Sequence, residues 1–182
     1  MKKPRQLPCL TQVSDEEVLA AIHSIPVHRA CLEFGVPFKV VAVTSTPSTV
    51  VGIKTPANQA VRGLAIRIGF DDTTSTHANA TIEVGTCTFA TNSPGTNSTV
   101  VTPIALDSGR PETIQSTAGK AWTTEPTVIS IFDTFMIPLY LGSGIIEIPL
   151  SRRVIAKGGN GLVVRVTVPN SCNCTGALLG EE

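Results

Sequence analysis

The closest pair of soft metal ligands in the 182-residue sequence is Cys172-Asn173-Cys174, which puts two thiols on one face of an extended strand. A structural zinc site needs about four ligands, usually from a second pair elsewhere in the chain. Cys9, Cys31 and Cys87 are scattered singly, and the three histidines, His23, His28 and His77, form no ligand spacing. The expectation is that Cys172 and Cys174 behave as small buried hydrophobes and that the protein holds no metal. Five cysteines are an odd number, and no apolar segment follows the basic start Met1-Lys2-Lys3-Pro4-Arg5. Without an export signal, free thiols in a reducing compartment are expected.

The other chemistry-bearing types are equally sparse. Gly142-Ser143-Gly144 resembles a piece of a nucleophile elbow, but no helix follows to hold the serine at a sharp strand-to-helix turn. Gly158-Gly159-Asn160-Gly161 lacks the Lys and helix of a phosphate loop. Asp71-Asp72 has none of the alternating acidic spacing of a calcium loop. Asn79-Ala80-Thr81, Asn97-Ser98-Thr99 and Asn173-Cys174-Thr175 match the N-glycosylation pattern, but occur by chance in a chain with 23 Thr and 13 Ser. One aromatic could contact a ligand: Trp122, the single tryptophan, in Lys120-Ala121-Trp122-Thr123-Thr124-Glu125-Pro126. The expectation is a protein that is not an enzyme and uses no cofactor.

Composition narrows the class. The chain carries 14 basic and 14 acidic residues, so a nucleic-acid partner, which demands a basic excess, is not expected. No apolar run nears the roughly 20 residues that span a bilayer. Charged residues make up only 15%, against about 25% in ordinary soluble domains. Partners that cover part of the surface, or a surface that relies on hydroxyls for solubility, would explain that deficit. Abundant Thr favours pleated strands, and 15 Gly with 13 Pro supply turns.

The elements follow. Ser14-Asp15-Glu16-Glu17 reads as a capping box, followed by Val18, Leu19, Ala21, Ile22 and Ile25 at helical spacing until Pro26. This predicts a helix over residues 15–25 within an N-terminal arm, 1–34. Such a short helix needs a packing partner, either the body of its own chain or another subunit. From Val36 onward the period becomes 2. Strands are expected over Val36–Thr46, Val61–Phe70, Ala80–Phe89, Thr99–Ile104, Gly144–Leu150, Arg152–Ala156, Leu162–Val168 and Cys172–Glu181. The apolar segment Ile129–Leu141 should be interrupted at Pro138, Asp107–Pro126 reads as turns, and Gly158–Gly161 as a hairpin turn. Eight or nine short strands without a βαβ rhythm predict an all-β, antiparallel two-sheet jelly-roll sandwich over 35–182.

Several stretches then carry a resemblance: Thr55-Pro56-Ala57-Asn58 leading into Arg62–Asp71, Gly95–Asp107, Ala121–Thr127, the strands ending at Ile148-Pro149-Leu150, and Gly161–Pro169 followed by Cys172–Thr175 and Glu181-Glu182. From about Ile53 to the end, this order resembles tailed-phage capsid decoration (cement) or head-fibre proteins, whose jelly rolls are like the tumour-necrosis-factor group. The helix at 14–25 and the cysteines at 172 and 174 depart from that pattern. The resemblance implies a homotrimer on the outer surface of the virion capsid, made in the host cytoplasm, bound to the major capsid protein and without enzymatic activity. The arm would then be the anchor, through Val18, Leu19, Ile22 and Ile25 and the cations Lys2, Lys3 and Arg5. Two other readings stand beside it. One is a fibre or receptor-binding tip that uses Trp122 on host glycans; the other is a shell-forming jelly-roll capsid protein.

Overall fold

The computed structural model describes residues 32–71, 78–107, 109, 111–127, 129–139, 144–150 and 154–182. The expected helix over 15–25 and its anchoring residues Lys2, Lys3, Arg5, Val18, Leu19, Ile22 and Ile25 lie outside the described residues. The described residues are all-β. The strands are β1 (Glu33–Val43), β2 (Ser48–Lys54), β3 (Ala60–Phe70), β4 (Asn79–Cys87), β5 (Thr99–Val101) and β6 (Ile104–Ala105). They continue with β7 (Thr117–Lys120), β8 (Ile129–Pro138), β9 (Ile146–Pro149), β10 (Ile155–Lys157), β11 (Gly161–Thr167) and β12 (Cys172–Glu181).

Two antiparallel sheets form the sandwich. The first runs β10-β3-β12-β1-β6, with β9 also paired to β3; the second runs β5-β7-β2-β11-β4-β8. The pairings nest from the ends inward. β1 pairs with β12, β2 with β11, β3 with β9 and β10, and β4 with β8. That is one long antiparallel ribbon rolled over itself so that β1 to β4 fall alternately in the two sheets, which is the jelly roll.

Alternation explains the core. Phe34, Val36 and Phe38 on β1, Ile66 and Ile68 on β3 and Leu178 on β12 meet Ile53, Ile82, Val84, Leu162, Val164 and Val166 from the other sheet, all essentially without solvent exposure. Two glycines make room for the rings: Phe34 lies directly opposite Gly180, and Phe38 opposite Gly176. A Cβ on Gly180 would sit 2.8 Å from the Phe34 ring, and one on Gly176 would sit 2.8 Å from the Phe38 ring.

Departures from the expected elements have local causes. Ser48–Lys54 is a central strand that alternation does not reveal, because Thr49 through Ile53 are all buried; both of its faces are covered, so period 2 is lost. β7 falls in the segment read as turns, since Thr-Ala-Gly-Lys has no large side chain to mark it. Thr99–Ile104 is two strands split at Pro103, one in each sheet. Gly158 and Gly159 do take positive φ, 66° and 83°, but the turn is a corner rather than a hairpin, because β10 belongs to the first sheet and β11 to the second. Thr55 holds that corner: its hydroxyl donates to the Asn160 carbonyl at 2.7 Å and accepts from the Gly159 amide at 3.2 Å.

One strained residue stands out. A register shift in β1 places Val40 at φ 52° with its side chain 64% exposed. Left-handed backbone is costly for a β-branched residue and tolerated by Asn. Val40→Asn is therefore expected to raise stability by about 1 kcal/mol, read as a higher urea midpoint with an unchanged slope. A lower midpoint would mean that the valine side chain stabilises the fold itself.

Candidate interaction surface

The residues singled out for chemistry are held by structural contacts. Cys174 is buried on the inner face of β12. Burial pushes its thiol from an ordinary 9.0 up to about 12, and burial also raises Cys87. Cys87 sits against the Thr127 carbonyl and the Phe89 amide, both at 3.2 Å. Among the described residues no group of three His, Cys, Asp or Glu could hold a metal ion. Thiol reagents at pH 8 should leave Cys87 and Cys174 unmodified in the folded protein and label both in denaturant, as read by mass spectrometry. A folded-state pKa raised above the unfolded one favours the neutral thiol. The contribution from Cys174 is thus complete below about pH 9 and is lost as pH rises toward about 12. Rapid labelling of Cys174 in the native state would contradict its burial.

Asp71 clasps the end of β12. Its carboxylate accepts from the Asn173 amide at 2.6 Å and from Asn173 Nδ2 at 2.7 Å, and these bonds hold its carboxyl below the usual range. The acidic pair near residue 182 is likewise engaged within the sandwich. Glu181 pairs with Arg62. Glu182 accepts from the amides of Gln115 and Ser116, each at 3.2 Å, and exchanges main-chain hydrogen bonds with Leu32.

Trp122 is only 6% exposed. It lies on the outer face of the second sheet, over Gly52 and Gly119, and stacks on Phe89 with ring centroids 6.1 Å apart. Its indole N–H donates to the Asn92 carbonyl at 2.8 Å. With Cys87 and Val163 it forms a second small core beneath the 88–98 and 121–127 loops. Glu125 fastens that cover, accepting from the Thr49 amide at 2.7 Å and the Thr49 hydroxyl at 2.6 Å, and facing Arg165 at 3.3 Å. A sugar would find neither ring face open here.

The outer face of the first sheet is different. Its cross-strand rows read Ile104–Gly35–Leu179–Ala65–Pro149, then Pro37–Ala177–Arg67–Glu147. A third row runs from the Val40 bulge, whose amide donates to the Thr175 hydroxyl at 3.2 Å, through Gly69 to Ile145. The floor is small or flat: Gly35, Ala65, Ala177, Pro37 and Gly69. Large apolar side chains stand at its margins, with Leu106 57%, Val40 64% and Ile145 66% exposed. Its charges are mostly internal pairs, Arg67 with Glu147 at 2.6 Å and Arg62 with Glu181. The face thus combines exposed apolar side chains at its margins with a half-exposed ion pair in its middle row. The sequence signal for it was present in Gly176-Ala177-Leu178-Leu179-Gly180, which is apolar at both parities although only one parity faces the core.

A second apolar surface lies on the open edge of the other sheet. Among the described residues β8 pairs only with β4, and Ile131, Phe132 and Met136 on it are exposed. The segment that reads as apolar in sequence is thus largely solvent-facing. No protein-family model, curated protein or solved structure matches the chain.

Proposed function

We propose that this protein is a structural component of a virus particle: a homotrimer that binds the major capsid protein on the outer surface of a phage head and stabilises the shell. The observation that carries this reading is the outer face of the first sheet, where Val40, Leu106 and Ile145 stand exposed around small residues and the charges are paired with one another, a surface suited to a protein partner. The low charge of the whole chain and the sequence stretches shared with decoration proteins support it. The clasped roles of Asp71, Cys174, Glu181 and Glu182 point the same way, because each serves the fold. The burial of Trp122 removes the main support for a glycan-binding fibre tip.

The mechanism is mass action. A ligand that binds only the assembled shell stabilises that state by RT ln(1 + [L]/Kd), and three linked copies add avidity. The segment before β1 would supply the capsid contact through the expected stripe Val18, Leu19, Ile22 and Ile25 and the cations Lys2, Lys3 and Arg5, whereas residues 32–34 of the expected arm belong to the sandwich. The test is to add purified protein to heads that lack it. Stoichiometric binding with a higher temperature of genome release is expected. No binding to heads, or self-assembly of the protein alone into shells, would overturn the reading.

A further inference from the structure

An exposed strand edge invites pairing with another chain, and folds that stay apart keep their edges short or guard them with charge, proline or a bulge. Among the described residues the other edges follow that rule. β5 has three residues and β6 two, with Thr102-Pro103 between them. β10 has three and ends in Lys157, and β9 has four and carries Glu147 and Pro149. β8 is the exception. It has ten residues, carries no cation and leaves Ile131, Phe132 and Met136 exposed. Its one charge, Asp133, lies opposite core-buried Val84, on the same parity as Phe135 and Ile137.

The register fixes which main-chain groups of β8 are open. Leu139 donates to the Ala78 carbonyl at 2.9 Å. From Asn79 opposite Pro138 to Val84 opposite Asp133 the register is unbroken, and hydrogen-bonded pairs recur at every second position. Ile137 and Phe135 therefore bond to β4, whereas the amides and carbonyls of Thr134 and Met136 turn away from it. The register shift at Phe132 bounds this open stretch on one side, and Pro138, which has no N–H, bounds it on the other. Within one copy the Thr134 amide donates to the Asp133 carboxylate at 2.9 Å.

We infer that β8 pairs with β8 of a second copy, antiparallel across a twofold axis at Phe135, so that the second sheets of the two copies become one. Open main-chain groups of this kind are met by an extended strand, and the segment is its own complement. With Phe135 opposite Phe135, each Thr134 lies opposite Met136 of the other copy. The Thr134 amide exchanges the Asp133 carboxylate for that Met136 carbonyl, and the Met136 amide gains the Thr134 carbonyl. The axis passes through a non-hydrogen-bonded pair, where side chains approach most closely. The two half-buried Phe135 rings thus cover each other's open side. Each Asp133 falls opposite Ile137, so no like charges meet. Moving the axis to Thr134 would set Met136 against the irregular Phe132 and lose this match. The contact is isologous. It goes beyond the proposed homotrimer, because a twofold contact joins one trimer to the next.

The test uses the full chain, with mass measured by light scattering across a dilution series. Reversible growth past the trimer, in whole trimers, is expected as concentration rises. Met136→Pro removes an outward N–H without touching a bond to β4, and Met136→Lys installs the guard that other edges use. Each should weaken the twofold step roughly tenfold or more, since the symmetry counts every lost contact twice. Met136→Lys should leave the unfolding midpoint near that of wild type. Oxidation should cross-link a mixture of Thr134→Cys and Met136→Cys, because opposed residues lie about 5.5 Å apart at Cα, within disulfide reach. Thr134→Cys alone should stay uncross-linked. A protein that remains trimeric at every concentration would overturn the β8 contact and leave the trimer intact. A dimer as the largest species, broken by Met136→Lys, would support the contact and overturn the trimer. A monomer throughout would overturn both. Folded Met136 variants that associate like wild type would overturn β8 as the contact, and cross-linking of Thr134→Cys to itself would overturn the register.

Discussion

Alanine at Gly176 is expected to destabilise the sandwich by more than about 4 kcal/mol, a large share of the roughly 5–15 kcal/mol that holds a domain together. The added methyl would run into the Arg67 carbonyl oxygen and come within 2.8 Å of the Phe38 ring. Neither neighbour can yield cheaply. The carbonyl belongs to β3, which pairs with β12 on one side and β9 on the other. Phe38 is fully buried between the sheets. Strands β1, β12 and β3 would have to separate at the centre of the first sheet, or Phe38 would have to leave its rotamer. Chemical denaturation with far-UV circular dichroism reads the effect directly. A loss below 1 kcal/mol would mean that Gly176 is not packed as described. Gly144 is the control, because a Cβ there meets nothing within 4 Å.

Removal of Trp122 should cost about 3–5 kcal/mol, the usual range for a buried tryptophan reduced to alanine. The ring covers Gly52 and Gly119, stacks on Phe89 and donates to Asn92. Its loss uncovers the outer side of β2 and β7 and leaves the Asn92 carbonyl without that donor. Trp122→Phe keeps much of the apolar cover and loses the hydrogen bond, so it should cost about 1–2 kcal/mol. The two variants separate a packing role from a ligand-binding role. Packing predicts a graded fall in the unfolding midpoint. A contact residue predicts unchanged stability, and a thermal shift on adding glycans would then support the fibre-tip reading.

The legibility of this chain depended on which faces of each strand are covered. Strands with one solvated side, such as β3 with Arg67 facing outward, announce themselves by alternation. β2 does not, because Trp122 and its loops bury the side that would otherwise be polar. β7 is hidden because Thr-Ala-Gly-Lys has no large side chain to mark it, and Gly119 lies beneath the indole. β8 misleads in the opposite direction: its apolar composition reads as core, yet Phe132 and Met136 face solvent. The corner at Gly158-Gly159 shows that turn chemistry fixes a local bend but not which sheet each flank joins. The interaction surface was half visible. The double parity of Ala177, Leu178 and Leu179 points to cover on both sides of β12. The contributions of Gly35, Val40 and Ile145 come from strand pairings far apart in the chain, which no local pattern encodes.

The most direct test of the central claim is the copy number of this chain in virions purified from its source, measured by quantitative mass spectrometry against the main shell protein. The account predicts a stoichiometric surface component, at one trimer per defined site on the shell and released without loss of the shell itself. A few copies per particle, or none, would contradict it.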